Sequence, residues 1–470
     1  MALQKTTPAL RRMLVPLALA QFICSFAGSN MNVMITDISH DLHTTVQGVQ
    51  VCITLFLLVM AALMIPGGKL TDRWGRKRCF SLGLGIYALG AILSALSTGL
   101  GVLIVGNSIL EGVGTALLIP PVYILTTLFF SDTTSRARAF GMITAAGGIG
   151  AATGPLLGGV ITTAISWRAA FGFQAIVVIT IAFLGRKIED PLPADPSRPF
   201  DIVGSVLSAV GLIVLVLGIL AADNNLALCL LLLVIGAAVL GLFFGWIVRR
   251  ERGGHEPLVS IKLFRNRTSS LGMVTQNLQW LILMGVSFVV SAYLQVVRGY
   301  NAIQTGVIFT AATLGILGAS LVAAPLARRF QQRLLILTGF VAAIIGVAVL
   351  LAVVKHSPSP WAFAPGLLII GLGVGVMLTP SVNVVQSAFP EAQQGEISGL
   401  SRCVSNLGSS LGTAVAGTIL VSGLTSPQHS YALAMIALIV FSAIGAVIAL
   451  GIPKQGRVTS EPSPTPAPAT

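Results

Sequence analysis

Apolar residues in this chain run on in stretches of about twenty, the length that carries a helix across the ~30 Å hydrocarbon layer of a bilayer. Fourteen such stretches begin near Met13, Val46, Phe80, Val102, Arg138, Arg168, Ile202, Leu226, Ser270, Ile303, Arg333, Ala362, Glu396 and Tyr431. The pattern predicts an all-α polytopic membrane protein with 14 transmembrane helices, joined mostly by linkers too short for an extramembrane domain. Arg11 and Arg12 followed by "MLVPLALAQFICSFAG" have the make-up of a signal peptide. The apolar run is long and more spans follow, so it is expected to stay as an uncleaved first helix.

Composition agrees. Of 470 residues, 55% are hydrophobic and 9% charged, with a mean hydropathy of +0.91; a soluble domain carries about a quarter charged residues. Most of the surface therefore faces lipid. An even number of helices puts both termini on one side. If that side is the cytoplasm, all 28 lysines and arginines fall there except Arg168, Arg298 and Lys355, as the positive-inside rule requires. The net charge of +13 is thus a topology signal, and no nucleic-acid partner is expected. The short loops and Ala/Gly/Leu-rich helices point to a bacterial inner membrane, with the chain acting as a monomer.

Cys24, Cys52, Cys79, Cys229 and Cys403 are scattered singly, without metal spacing or a disulfide framework. His40, His43, His255, His356 and His429 fall in loops or at helix ends, and no phosphate-binding loop is present. No cofactor, metal or ATP is expected, and one isolated buried acid is too little for an enzyme. The tail from residue 453, ending "TSEPSPTPAPAT", is Pro-rich and expected to be disordered.

That acid is Glu111, the charged residue between Gly101 and Leu125. It lies about nine residues into the fourth helix, roughly 14 Å deep at 1.5 Å per residue. An ionised acid near the midplane costs several kcal/mol, so such carboxyls face an interior cavity and mark a pathway. Glu111 is therefore a candidate for proton coupling and for binding substrate. The alternative is a permanently protonated acid bonded to a neighbouring helix. Other polar side chains sketch a cavity: Asn30 and Asn32, with Phe26 and Met34, on the first helix; Gln276, Asn277 and Trp280 on the ninth; Asn383 and Gln386 on the twelfth. Polar groups among aromatic and aliphatic ones suit an amphiphilic organic ligand, although each alone also serves as a helix–helix contact.

Between the second and third helices stands "GGKLTDRWGRKRCF", with a helix-breaking Gly68, an acid at Asp72, a turn at Gly75, and Arg73 and Arg76 beside them. Gly68, Asp72, Gly75 and Arg76 match the G-x-x-x-D-R-x-G-R-K loop, and on it the chain resembles the major facilitator superfamily over nearly its whole length. A weaker echo, "PLARRFQQR" at 325–333, follows the tenth helix, two helices later than in a twelve-helix member. With "RPFDIVGSVL" before and "EPLVSIKLFRNR" after the displaced region, the chain resembles the fourteen-helix drug:proton antiporter family. The resemblance implies two pseudo-symmetric six-helix bundles, at 1–186 and 268–452, with an inserted helix pair at 187–267. It also implies that Asp72, with Arg76, latches the cytoplasmic gate shut while the outside is open, by accepting from the start of the thirteenth helix near "GEISGLSR" (395–402). Gly150, Gly154, Pro155, Gly158 and Gly159 reproduce the G-x-x-x-G-P-x-x-G-G pattern of the superfamily's exporters. Two family positions differ: Ser108 stands where the fourth helix usually has arginine, and Ala27 where drug exporters often have aspartate.

These features predict a secondary transporter exporting an amphiphilic drug-like or lipid-like compound by alternating access in exchange for protons. A carrier of the same fold without proton coupling, and a receptor or scaffold without transport, are the alternatives. The predicted topology is directly testable: a tag in the 187–200 loop should label from the cytoplasm and one at Asp223 from outside. Labelling of both from one side would remove the inserted pair.

Overall fold

The computed structural model describes residues 8–130, 133–222, 225–354, 359–389, 394–422 and 426–453. Asp223 and the Pro-rich tail from residue 454 lie outside them. Fourteen helices are long and apolar enough to cross a membrane. The first six are α1 (Met13–Val33), α2 (Val46–Trp74), α3 (Arg76–Ala95), α4 (Leu100–Phe129), α5 (Arg138–Ala164) and α6 (Trp167–Gly185). A pair follows, α7 (Ile202–Leu220) and α8 (Leu226–Arg252). The last six are α9 (Arg267–Val297), α10 (Ala302–Ala323), α11 (Gln332–Ala352), α12 (Pro360–Gln386), α13 (Glu396–Val421) and α14 (Pro427–Leu450).

Side chains set several of the helix starts by accepting from backbone N–H groups that have no partner inside the helix. Thr45 caps α2, Ser166 α6, Asp201 α7 and Asn225 α8, and Asn301 with Gln304 forms a capping box at α10. Packing repeats with an offset of eight helices. α1 lies on α5 as α9 lies on α13, α2 on α4 as α10 on α12, and α3 on α6 as α11 on α14. The result is two six-helix bundles related by pseudo-symmetry, each with its own apolar core.

The bundles meet along two seams, α2 with α13 and α5 with α10. Small residues let the backbones touch. A Cβ on Gly150 would fall 2.2 Å from the Phe22 carbonyl oxygen of α1, and one on Gly159 would fall 2.5 Å from that of Ala302 on α10. Hydrogen bonds cross both seams at the end of the molecule away from the Lys69–Arg78 cluster. Gln50 Nε2 donates to the carbonyls of Thr413 and Ala414, at 3.1 Å each. Ile303 N donates to Thr163 Oγ1 (3.1 Å), and Gln295 Nε2 to the Asn32 carbonyl (2.8 Å). We call this the far end and the other the basic end.

The inserted pair lies against the first seam. α7 packs on both α2 and α13 through a cluster of Leu58, Val216, Leu220 and Ala414. Asp201 moors it: the buried carboxylate accepts from Gly204 N (2.9 Å), Trp246 Nε1 of α8 (3.0 Å) and Leu258 N (3.1 Å). Asp201, Gly204 and Leu258 belong to the two flanking sequence stretches.

At the far end of the first bundle, the Asp41 carboxylate accepts from Arg168 and from Trp167 Nε1 (3.0 Å), while Arg168 Nη2 donates to the Ser97 carbonyl (2.8 Å). The hydrogen bond from Arg168 holds the Asp41 carboxyl below the usual carboxylate range. A depressed acid contributes stability above its unfolded-state value and loses it as pH falls through the folded one. Asp41→Asn should therefore lower stability at pH 7 by less than about 1 kcal/mol, the pair being solvent-screened. The gap between variant and parent in detergent-solubilised thermal unfolding should close as the pH drops through the depressed value. A gap unchanged on acidification would show that the carboxylate charge is not what holds the clamp.

Candidate functional site

Between the bundles lies an open cavity of about 80 Å³. Segments of α1, α2, α4, α5, α9 and α13 line it, so neither bundle forms it alone. Its wall is mainly apolar, with Leu57, Met60, Met64, Ile119, Trp280 and Met284, and the polar groups include Gln21, Ser25 and Asn406. One lining residue is charged, Arg402.

Of the side chains singled out in the sequence, Trp280 lines this cavity; the rest serve elsewhere. Gln276 Nε2 donates to Ser405 Oγ (2.8 Å) and its Oε1 accepts from Ser401 Oγ (2.9 Å). Asn277 Nδ2 donates to the Val404 carbonyl (2.9 Å). Both residues stitch α9 to α13. Phe26 is buried edge-on against Phe173, with centroids 5.4 Å apart. Asn30 is buried in front of Gly158, Asn32 turns its side chain back to the Ser29 carbonyl while its own carbonyl accepts across the far end, and Met34 sits in the first core. Gln386 Nε2 donates to Ser398 Oγ (3.2 Å), and Asn383 is half-buried on α12.

Glu111 is fully buried inside the first bundle and is not among the cavity-lining residues. It closes a π-helical segment, Ile104–Glu111, in α4; such widened turns often mark functional sites. Ser94 Oγ stands 3.4 Å from its Oε1, while the Ser94 proton goes to the Gly90 carbonyl at 2.8 Å. Oε2 makes no hydrogen bond; the neighbouring Tyr87 hydroxyl donates to Gln174 Oε1 at 2.6 Å. No ion pair among the described residues includes Glu111. The hydroxyl oxygens of Ser94 and Tyr87 can each accept a proton from a neutral carboxyl, and no cation compensates a charged one. Toward the cavity, Thr115, one turn along α4, lies beside Cys24 of the cavity wall.

The 67–80 loop departs from expectation in one respect. Gly68 does not break its helix: α2 runs on to Trp74. Its neighbour Gly67 admits α4, since a Cβ there would lie 2.3 Å from the Ala116 oxygen. Asp72 is bonded to Arg76 and Arg198, each at 3.1 Å, rather than to α13. The first turn of α13 is engaged by the segment after α8, where Ser260 N donates to Glu396 Oε1 (2.8 Å). Gly75 has φ +94°, a conformation that favours glycine, and Asp190 caps α3 by accepting from Arg76 N at 2.6 Å. Arg73 lies in the last turn of α2.

Arg402 is the residue that sequence pattern missed. Its closeness to a helix start groups it with the basic loops, yet it lies inside α13 with its guanidinium over the Tyr123 ring, 4.9 Å from the centroid. The signal available was the uncharged run from Cys403 to the end of that helix.

A family model described as Major Facilitator Superfamily matches residues 17–413 and again 278–469. The chain is 29% identical over 415 residues to the puromycin resistance protein pur8 of Streptomyces alboniger, covering 86% of this chain and 81% of that one. It is 29% identical to the multidrug efflux pump LfrA of Mycolicibacterium smegmatis over 78% of this chain and 72% of LfrA. With the cephamycin export protein CmcT of Amycolatopsis lactamdurans it shares 28% identity over 94% and 92% of the two chains. Among solved structures, that of the peptide transporter POT in complex with sulfate superposes with a TM-score of 0.70 over 96% of both chains at 19% identity, a likeness of fold.

The Glu111 setting depends on Gly90, where an added Cβ would lie 2.6 Å from the Gly106 oxygen and 2.8 Å from Glu111 N. Gly90→Ala should push α3 from α4 and cost about 1–3 kcal/mol. Gly85→Ala, with open space around its Cβ, should be neutral. Equal melting temperatures for the two purified variants would contradict the packing described.

Proposed function

The chain belongs to the Major Facilitator Superfamily, and from that premise we propose that it exports an amphiphilic small molecule by alternating access, in exchange for protons taken up on Glu111. As a member of this superfamily it is a secondary transporter, not an enzyme. The observation that carries the proposal is the central cavity, walled by both bundles and closed at the far end by hydrogen bonds across both seams. The names of the relatives, in resistance, efflux and export, support outward movement of organic compounds.

The positive-inside rule makes the basic end cytoplasmic, with both termini there and the bundles spanning residues 1–186 and 268–452 around the 187–267 pair. The protein then works as a monomer in a bacterial inner membrane, and the far-end seams face outward. Closing the cytoplasmic end would bring the start of α13 to Asp72, which in the present state holds Arg76 and Arg198. The glycines around Pro155 keep α5 pressed on α1 and α10, a hinge line about which the bundles rock. Glu111 loads a proton when water reaches its bundle from one side and releases it on the other.

A carrier without proton coupling is favoured by one observation, the absence of Glu111 from the cavity wall. Glu111→Gln separates the two, because it keeps shape and hydrogen bonding but cannot release a proton. In proteoliposomes it should abolish uphill transport driven by a pH difference and retain downhill exchange. Accumulation at the parent level by the Gln variant under a pH gradient alone would make Glu111 structural.

A further inference from the structure

Among the described residues, Arg402 has no carboxylate partner. None of the ion pairs among the described residues includes it, and no acid lines the cavity into which it projects. Its Nη2 donates to the Tyr123 hydroxyl, which donates to Gln21 Oε1 (3.2 Å), and Gln21 Nε2 donates to Ser25 Oγ (3.1 Å). The chain of bonds joins α13 to α4 and α1 across the cavity and aims the guanidinium from the second bundle at the first. A guanidinium carries five N–H donors in a planar fork, and Tyr123 takes one. The ring beneath it contributes a cation–π contact that holds the group flat without neutralising it. A charge in an apolar wall without a partner is costly, and the open space in front of it is where a partner can come and go.

We propose that the transported molecule is an anionic amphiphile whose carboxylate, phosphate or sulfonate pairs with Arg402 while its apolar body lies against Leu57, Met60, Met64, Trp280 and Met284. This rests on the export function above and narrows its cargo. The acid that handles the proton and the base that holds the cargo are then separate, on α4 and α13. They do not compete for one site, as they would if a cationic cargo displaced a proton from Glu111. Electrical balance follows: one proton moving in as one monoanion moves out transfers two charges in the same sense per cycle. The membrane potential therefore drives export of this cargo along with the pH gradient.

The test uses the full chain in nanodiscs of zwitterionic phosphatidylcholine and three fluorescent probes of one length: a dansyl-undecanoate, its neutral primary amide, and the corresponding dansyl-alkylammonium. The carboxylate should bind about tenfold or more tighter than the amide, as a charge-assisted bidentate contact gives, with the ammonium weakest. Arg402→Gln should erase the preference for the carboxylate while leaving the amide's affinity within about threefold. Arg402→Lys should keep the order of the three probes. An ammonium bound as tightly as the carboxylate, no binding of any probe, or a carboxylate preference that survives Arg402→Gln overturns the proposal. Flux in proteoliposomes distinguishes this failure from that of the transport function. Uphill movement of the ammonium probe without carboxylate binding sinks the anionic cargo alone. Arg402-dependent carboxylate binding with no flux of any probe sinks export alone.

Discussion

Helix α5 touches α1 and α10 backbone to backbone, and the closed far end depends on that contact. No side chain fits where Gly150 meets the Phe22 carbonyl or where Gly159 meets Ala302. In a bilayer, apolar association between helices gives little driving force, and close packing of small residues supplies the attraction instead. Once α5 and α10 are in contact, the Thr163–Ile303 bond forms beside them, and the α2–α13 seam closes with Gln50 reaching two carbonyls of α13. Pseudo-symmetry makes the seams equivalent, since α2 corresponds to α10 and α5 to α13. One rocking motion can therefore open both. The inserted pair breaks that equivalence by placing α7 over one seam.

Within this frame the buried acid and the cavity-facing base sit apart. Glu111 lies between α3 and α4 inside one bundle, whereas Arg402 faces the central cavity from the other. Helix α4 links them, carrying Glu111 near its middle and Tyr123, the partner of Arg402, twelve residues on, or about 18 Å at 1.5 Å per residue. A change at Glu111 that alters the α3–α4 packing can reach the turn of the same helix, beyond Pro120 and Pro121, where Tyr123 meets Arg402. Coupling of this kind needs no direct contact between proton and cargo, only a helix with two arrangements.

Much of the architecture was legible in the sequence because a bilayer imposes a length. Runs of about twenty apolar residues can hardly be anything but spans, and the distribution of lysine and arginine checked their number. The 67–80 loop and its echo after α10 located the inserted pair. The interior was less legible. Helices such as α1, α2 and α9 are buried on most sides, so they carry no polar stripe to separate a cavity-facing side chain from one facing another helix. Gln276 and Asn277, adjacent in sequence, both turned out to bond α13, while Trp280 on the same face as Gln276 reached the cavity. Gly68 shows the same limit: glycine in a helix reads as a break, yet α2 runs straight through it, and the residue pressed by α4 is its neighbour Gly67. Arg402 sits two turns inside a helix that begins at a basic surface, and composition alone cannot say on which side of that boundary it falls.

Reciprocal opening of the two ends is the central claim, and distances between spin labels test it most directly. One pair, on Ile165 after α5 and Val296 at the end of α9, reports the far end. Another, on Met142 of α5 and Leu321 of α10, reports the basic end; all four positions are exposed. Double electron–electron resonance across a pH titration in lipid nanodiscs should show the first distance lengthening as the second shortens, with both transitions moved together by Glu111→Gln. Distances that change in the same sense at both ends, or that stay fixed while transport continues, would contradict the account.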